Sequence, residues 1–515
     1  MLNLSVAKSV PNFYLTFVLR FCYQPLKYFQ KSLILDKPYP MSQHPYREDR
    51  EALKELLRLY DNLRNGRPNS FLQEDDFERI INYFDEKDDL PSALEATELS
   101  VEQYPFSSSL LIRKADILLA MRKYQEALQV LDQAGLMDSQ DVDLYILKTD
   151  AYLALDQQAE AVEILQDALS LFDGEERVDL LFELADVYDD YEAFDKVFDC
   201  LQLILEQDPL NEEALYKICF WTDYTGRNEE SIRLHQRILE KHPFSELAWF
   251  NLAAGYQGLK LYEKAIDAYQ YAVAIDEKFD YAFRNMGDAY LRLRKYKEAI
   301  DSLEKVLELT RPEDVIYEAI GHCYHRLGNY AQARFNYKKA SHLNPDDSKL
   351  YYKVAVTYIL EQQWQPAIKQ LEQAMRIHRH VADYNLAMGE CYMGLEKYKE
   401  AVKYFGLVVR SKPKNRLAWE SLLSCLLEAE FYEEAIVQSE AALEITGQKS
   451  IFLFYISMAY YRAGYLKEAF LYLELGMQKN AKLMKRFVEL YPPVLQHPQV
   501  VDILARYKKS KRTEE

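Results

Sequence analysis

The sequence predicts an all-α solenoid, and three observations predict it. Alanine recurs every 34 residues, at Ala265, Ala299, Ala333, Ala367, Ala401, Ala435 and Ala469. Large aromatic side chains keep the same ruler nine and three residues ahead of that alanine. Glycine and proline are scarce, at 15 and 17 of 515 residues, which suits a chain with few breaks inside its elements. A period of this length marks a stack of small helical units, each burying its apolar face only against its neighbours.

The register continues upstream. Ser231 and Val197 keep the phase, a two-residue slip follows, and Ala161, Ala127 and Ala93 resume the step. That makes about twelve units between residues 75 and 483. With the alanine numbered as the twentieth place, small residues also hold the eighth, as in Ala115, Ala185, Ala253, Gly287, Gly321, Ala355 and Gly389. Tyrosine dominates the eleventh place (Tyr152, Tyr256, Tyr290, Tyr324) and the seventeenth (Tyr262, Tyr296, Tyr330, Tyr398). Proline closes several units, at Pro105, Pro209, Pro243, Pro345 and Pro413. Each unit therefore reads as two helices of about a dozen residues. Small residues at the eighth and twentieth places let the pair approach, aromatic and leucine side chains fill the gaps, and proline stops the second helix.

The elements follow in order. Residues 1–40 lie outside the register and hold five basic side chains against one acid, Asp36. They read as an upstream extension with Met41 as the natural start; the other reading is a targeting segment or membrane-surface anchor. Residues 41–73 supply a capping helix, with Leu53, Leu56, Leu57, Tyr60 and Leu63 on one face, and a linker begun by Gly66 and Pro68. Two places in the array are irregular. The slip in LFDGEERVD, residues 171–179, reads as a longer turn. The unit 212–245 holds Thr222, Asn228 and Ser231 at signature places, which predicts looser packing. Residues 484–515 read as closing helices and a basic tail, since the outer face of a terminal unit needs a cover.

Trp249, Leu252, Ala253, Tyr256, Ala265, Tyr269 and Ala272 together resemble the tetratricopeptide repeat pattern, and the resemblance covers about four fifths of the chain. It implies a right-handed superhelix of the kind found in long bacterial-type scaffolds. It also implies a non-enzymatic role, binding a peptide or protein in a concave groove lined by first helices. In peptide-binding arrays that this chain resembles, asparagines at the sixth place hold an extended ligand, and Asn251 and Asn285 stand there. Phe250, Arg284, Asp288 and His322 are their neighbours on the expected groove. The cochaperones of the family carry a Lys/Asn set at the fifth and ninth places. Here those places hold Phe250 and Ala254, Arg284 and Asp288, or Glu318 and His322. A cochaperone and an envelope- or membrane-associated assembly scaffold stay as the alternatives.

Composition limits the chemistry. A net charge of −19 argues against a nucleic-acid surface and favours solubility. Six cysteines make no disulfide framework, and no apolar run reaches transmembrane length, so a cytoplasmic protein is expected. His322, Cys323 and His325 crowd one helical turn. Cys323 shares the tenth place with Cys391 and Cys425, however, where other units hold alanine, so it reads as a small core residue. No metal, cofactor, phosphate-loop or nucleophile motif is present, and the acids read as solvated helix faces.

Overall fold

The computed structural model describes residues 46–65, 71–447 and 449–510, so the expectations for residues 1–40 and for the tail beyond Ser510 lie outside the described residues. All regular structure among the described residues is helical. They form two compact bodies, one ending at Ala282 and one beginning at Phe283.

In the N-terminal body α1 (Tyr46–Arg64) precedes six helix pairs. These are α2 and α3 (Glu74–Asp85, Leu90–Gln103), α4 and α5 (Ser108–Ala120, Tyr124–Met137), and α6 and α7 (Val142–Ala154, Gln158–Ala168). Then come α8 and α9 (Gly174–Asp190, Phe194–Gln207), α10 and α11 (Glu212–Thr225, Asn228–Lys241), and α12 and α13 (Glu246–Gly258, Tyr262–Ile275). In the C-terminal body the pairs are α14 and α15 (Asp280–Arg292, Tyr296–Leu309), α16 and α17 (Asp314–Arg326, Tyr330–Leu343), and α18 and α19 (Ser348–Leu360, Trp364–Ile377). They continue as α20 and α21 (Ala382–Gly394, Tyr398–Ser411), α22 and α23 (Arg416–Glu428, Tyr432–Ile445), and α24 and α25 (Ile451–Ala463, Leu466–Asn480). Two closing helices follow, α26 (Met484–Leu490) and α27 (Pro498–Ser510).

The alanine register is the seam of this packing. Ala93, Ala127, Ala161, Ala265, Ala299, Ala333, Ala367 and Ala401 are all fully buried. The eighth place faces the second helix of its own unit. A Cβ on Gly389 would sit 2.4 Å from a ring carbon of the fully buried Phe405, and one on Gly321 would sit 2.7 Å from Tyr337. Glycine there lets a large ring occupy the space a side chain would take.

Among the described residues, the turns inside the units share one backbone feature. The fifteenth place is left-handed in every pair, at Asp88, Arg122, Asp156, Glu192, Gly226, Lys260, Arg294, Gly328, Gln362, Glu396, Glu430 and Gly464. Outside the unit 212–245, a hydrogen bond then runs from the sixteenth N–H back to the eleventh carbonyl, as from Leu261 to Tyr256 at 2.9 Å. This is a Schellman-type helix end, which usually takes glycine, yet nine of the twelve turns do without it.

The tyrosine columns join successive units. An eleventh-place hydroxyl accepts from the twenty-fifth place of the unit before: Tyr188 from Gln166 at 3.1 Å, Tyr256 from Gln236 at 3.0 Å, Tyr358 from Lys338 at 3.2 Å. A seventeenth-place ring meets the thirteenth place of the unit after. Arg326 lies over Tyr296 and donates to its hydroxyl at 3.1 Å, and Arg462 does the same at Tyr432, at 2.7 Å.

The slip differs from expectation, whereas the unit 212–245 is loosely packed within its own pair, as expected. The slip is absorbed mainly by α8, which has 17 residues where α6 has 13. Phe172 plugs the turn before it, edge-on to Tyr145 at 5.6 Å. In the unit 212–245 the paired helices α10 and α11 barely touch, and α10 packs on α12 instead. Thr222 and Ser231 are nonetheless buried, with Thr222 Oγ1 donating to Ile218 O at 2.7 Å, while Asn228 is half-buried. At the ends, Leu56 and Tyr60 of α1 close over Leu72, Phe77, Ile80 and Ile81. Phe487, Val494, Val500 and Ile503 cover the last pair.

Candidate functional site

Within each body first helices abut first helices of the next unit, as α4 on α6, α6 on α8 and α18 on α20, whereas second helices lack comparable contacts with one another. The first helices therefore make the tighter face, and side chains at their second, fifth, sixth and ninth places are drawn together there.

In the N-terminal body this face is acidic. The ninth place holds Asp116, Asp150 and Asp186 in three consecutive units, 34 and 36 residues apart as the register and its slip require. Asp150 and Asp186 are exposed, and Glu183 is half-buried beside them. Crowding on the tight face strips hydration from Glu183, and the neighbouring Asp150 and Asp186 add to it, so its carboxyl is pushed up to about 7. Asp150 and Asp186 move up too, first through lost hydration. The face already holds cations. Lys217 bonds Glu213 at 2.9 Å and Asp186 at 3.5 Å, with its ammonium 5.0 Å from the centre of the Phe182 ring. Arg113 likewise pairs with Asp85 at 2.7 Å and with Asp116. These carboxylates were read from the sequence as solvated faces. The signal that identifies them is that they keep the alanine ruler.

Phe250 and Asn251 lie in this body on α12. Phe250 packs against Tyr269 and Phe279, with ring centres 5.6 and 5.1 Å away. Asn251 departs from the expected groove amide, because it is buried and bonded within the fold. Its Nδ2 donates to Leu215 O at 2.7 Å and to His235 Nε2, 3.2 Å away, while His235 Nδ1 donates to Ser231 O at 2.8 Å. One amide and one imidazole thus satisfy the polar groups between α10, α11 and α12. Full burial holds His235 neutral, lowering it to about 4, with the Ser231 carbonyl opposing.

In the C-terminal body the same face is a run of internal pairs. Arg284 makes a two-pronged bond to Glu313, at 2.9 and 2.5 Å. Asp288 faces Arg292 Nε at 3.4 Å, and Lys353 pairs with Glu318. Arg284 and Asp288 are buried within these pairs and are not open to a ligand. Asn285 is half-buried on the same helix. His322, also half-buried, is lowered to about 4, first by burial and then by Lys353, His325 and Arg326. Cys323, Cys391 and Cys425 are buried at the tenth place, and burial pushes each thiol up to about 12. Among the described residues no group of three or more His, Cys, Asp or Glu side chains is placed to hold a metal ion. No helix among them is long and apolar enough to cross a membrane.

Profile comparisons agree with the helix pairs over residues 280–312 and 326–450. Residues 326–408 match the profile of anaphase-promoting complex, cyclosome, subunit 3. Residues 280–312 and 386–450 match two tetratricopeptide repeat profiles. No curated protein matches the chain. Among solved structures, the Cut9–Hcn1 hetero-tetramer of APC/C is 16% identical over 84% of this chain and 98% of its own, with a TM-score of 0.32. The C-terminal part of a TPR repeat-containing protein from Cytophaga hutchinsonii is 15% identical over 50% and 99%, with a TM-score of 0.41. YrrB, described as a TPR protein with an unusual peptide-binding site, is 20% identical over 36% and 96%, with a TM-score of 0.33.

Proposed function

We propose that this chain, which is a tetratricopeptide repeat protein, is a non-enzymatic scaffold that holds an extended, basic protein segment along the first-helix face of its N-terminal body. The observation that carries the reading is the trio Asp150, Glu183 and Asp186. These side chains come from two successive units onto one face, at the places where first helices converge, while Asp116 of the unit before is already paired with Arg113. Crowded carboxylates with reduced hydration gain when a lysine or arginine arrives, and Lys217 shows the face seating an ammonium between two acids and over a ring. The face of the C-terminal body has its charges paired internally at Arg284–Glu313 and Glu318–Lys353, so it offers less to a charged partner. Asn285 and His322 are the residues of the expected groove that stay partly open there.

The test is fluorescence anisotropy with labelled twelve-residue peptides, one lysine-rich, one neutral and one acidic. The basic peptide should bind, and more tightly at pH 8 than at pH 6, because Glu183 loses its proton across that interval. Asp150→Asn with Glu183→Gln should weaken it about tenfold, or about 1.4 kcal/mol. Equal binding of all three peptides, or no loss in the double variant, refutes the reading.

A further inference from the structure

We propose a second binding site on the N-terminal body, an aromatic cleft that takes an arginine side chain from a partner segment. The cleft is open to solvent and has a volume of about 440 Å³ between the α8–α9 turn and the end of α10. It is lined by Glu192, Ala193, Phe194, Asp195, Lys196, Tyr224 and Thr225. Phe194 stacks on Trp221 at 5.3 Å and meets Tyr224 edge-on at 4.8 Å, and Tyr224 is 57% exposed.

The chain itself indicates what such a place receives. Phe194 is a seventeenth-place ring, and Tyr224 is the thirteenth place of the unit after. At the same two places in the C-terminal body, Arg326 covers Tyr296 and Arg462 covers Tyr432, each guanidinium within 6 Å of the ring centre. Here an exposed tyrosine stands where those units carry arginine, so the ring surface faces a cleft and not a guanidinium of its own chain.

The local charge agrees. Glu192 and Asp195 are exposed on the lip. The neighbouring cations are already engaged: Lys196 lies 4.7 Å over Tyr188, and Arg227 lies 4.3 Å over Phe198 while bonding Asp199, Glu230 and, at 3.0 Å, the Asp195 carbonyl. Aromatic walls with carboxylates at the rim suit a planar, weakly hydrated cation that stacks and donates in one plane. This site is separate from the Asp150 and Glu183 face, and either can fail without the other.

The experiment uses the full chain carrying 5-fluorotryptophan, with the Trp221 signal assigned by Trp221→Phe. Nα-acetyl-arginine methylamide is titrated in, against its neutral isostere Nα-acetyl-citrulline methylamide. The arginine probe should shift the Trp221 fluorine signal saturably and the citrulline probe should not. Tyr224→Ala should abolish the shift with helicity unchanged, and Glu192→Gln with Asp195→Asn should weaken it at least threefold. Tyr224→Arg, which supplies the guanidinium in cis, should block the probe. Equal shifts from both probes, or no shift from either, overturn the proposal, as does a shift that survives Tyr224→Ala.

Discussion

Lowering the pH should loosen the α10–α12 segment through one side chain, His235. Its imidazole is fully buried and held neutral at about 4, against an ordinary 6.5. A base lowered in the folded state stabilises the fold above its unfolded value, and that stability is lost as the pH falls from 6.5 towards 4. At pH 5 the unfolded imidazole is almost fully protonated and the folded one almost fully neutral. The ratio of their proton-binding terms is about 30, or about 2 kcal/mol, whereas at pH 7.5 it is close to 1. Hydrogen exchange of α11 and α12, corrected for intrinsic rate, should therefore lose about 30-fold protection between pH 7.5 and pH 5. Carboxylates such as Glu183, raised in the fold, act in the opposite direction, because they favour the folded state as the pH falls. The informative quantity is consequently the difference between the parent and His235→Gln, whose amide can still bond Asn251 but does not titrate. If the two lose protection in parallel, the imidazole is not the group that senses pH, and the hydrogen-bonded network around it is wrongly drawn.

Two further perturbations test the packing. Gly389→Ala would bring a methyl group within 2.4 Å of the buried Phe405 ring and should cost about 1–3 kcal/mol in thermal or denaturant unfolding; an unchanged midpoint would mean α20 and α21 are not so close. Lys260→Gly removes a Cβ from a left-handed residue and should stabilise by about 0.5–1 kcal/mol, while Gly328→Ala should destabilise by a similar amount; equal signs would refute the shared turn geometry.

What the sequence could show depended on whether one residue's role is set by the repeat alone. Ala333 is legible because two helix backbones approach there in every unit, so volume alone selects the residue. The turns were half-legible. Gly226, Gly328 and Gly464 mark the left-handed place, but Asp88, Arg122 and Lys260 adopt it too, held by the hydrogen bonds on either side. Asn251 was misread because its role depends on a residue in another unit. His235 occupies the twenty-fourth place, where Leu131, Leu165, Leu201 and Leu303 stand elsewhere. An imidazole buried among apolar neighbours must be bonded on both nitrogens, and the amide that reaches it belongs to the next unit.

The same dependence explains why the two bodies carry different faces on one scaffold. A charged side chain at the fifth, sixth or ninth place of a first helix is set beside the corresponding places of the units before and after. Where the neighbour brings the opposite sign, as Lys353 does for Glu318, the pair closes and the face is spent on the fold. Where the neighbours bring the same sign, as Asp150 and Asp186 do around Glu183, lost hydration first and then repulsion raise the proton affinity of the middle group and leave attraction for a cation unsatisfied. Repulsion of this kind destabilises the free chain, and Lys217 offsets only part of it. A partner that supplies the missing positive charge relieves it, so on the proposed reading the energy withheld from folding becomes energy of binding. A chain in which Asp150 and Glu183 are made neutral should therefore gain stability while it loses the basic peptide.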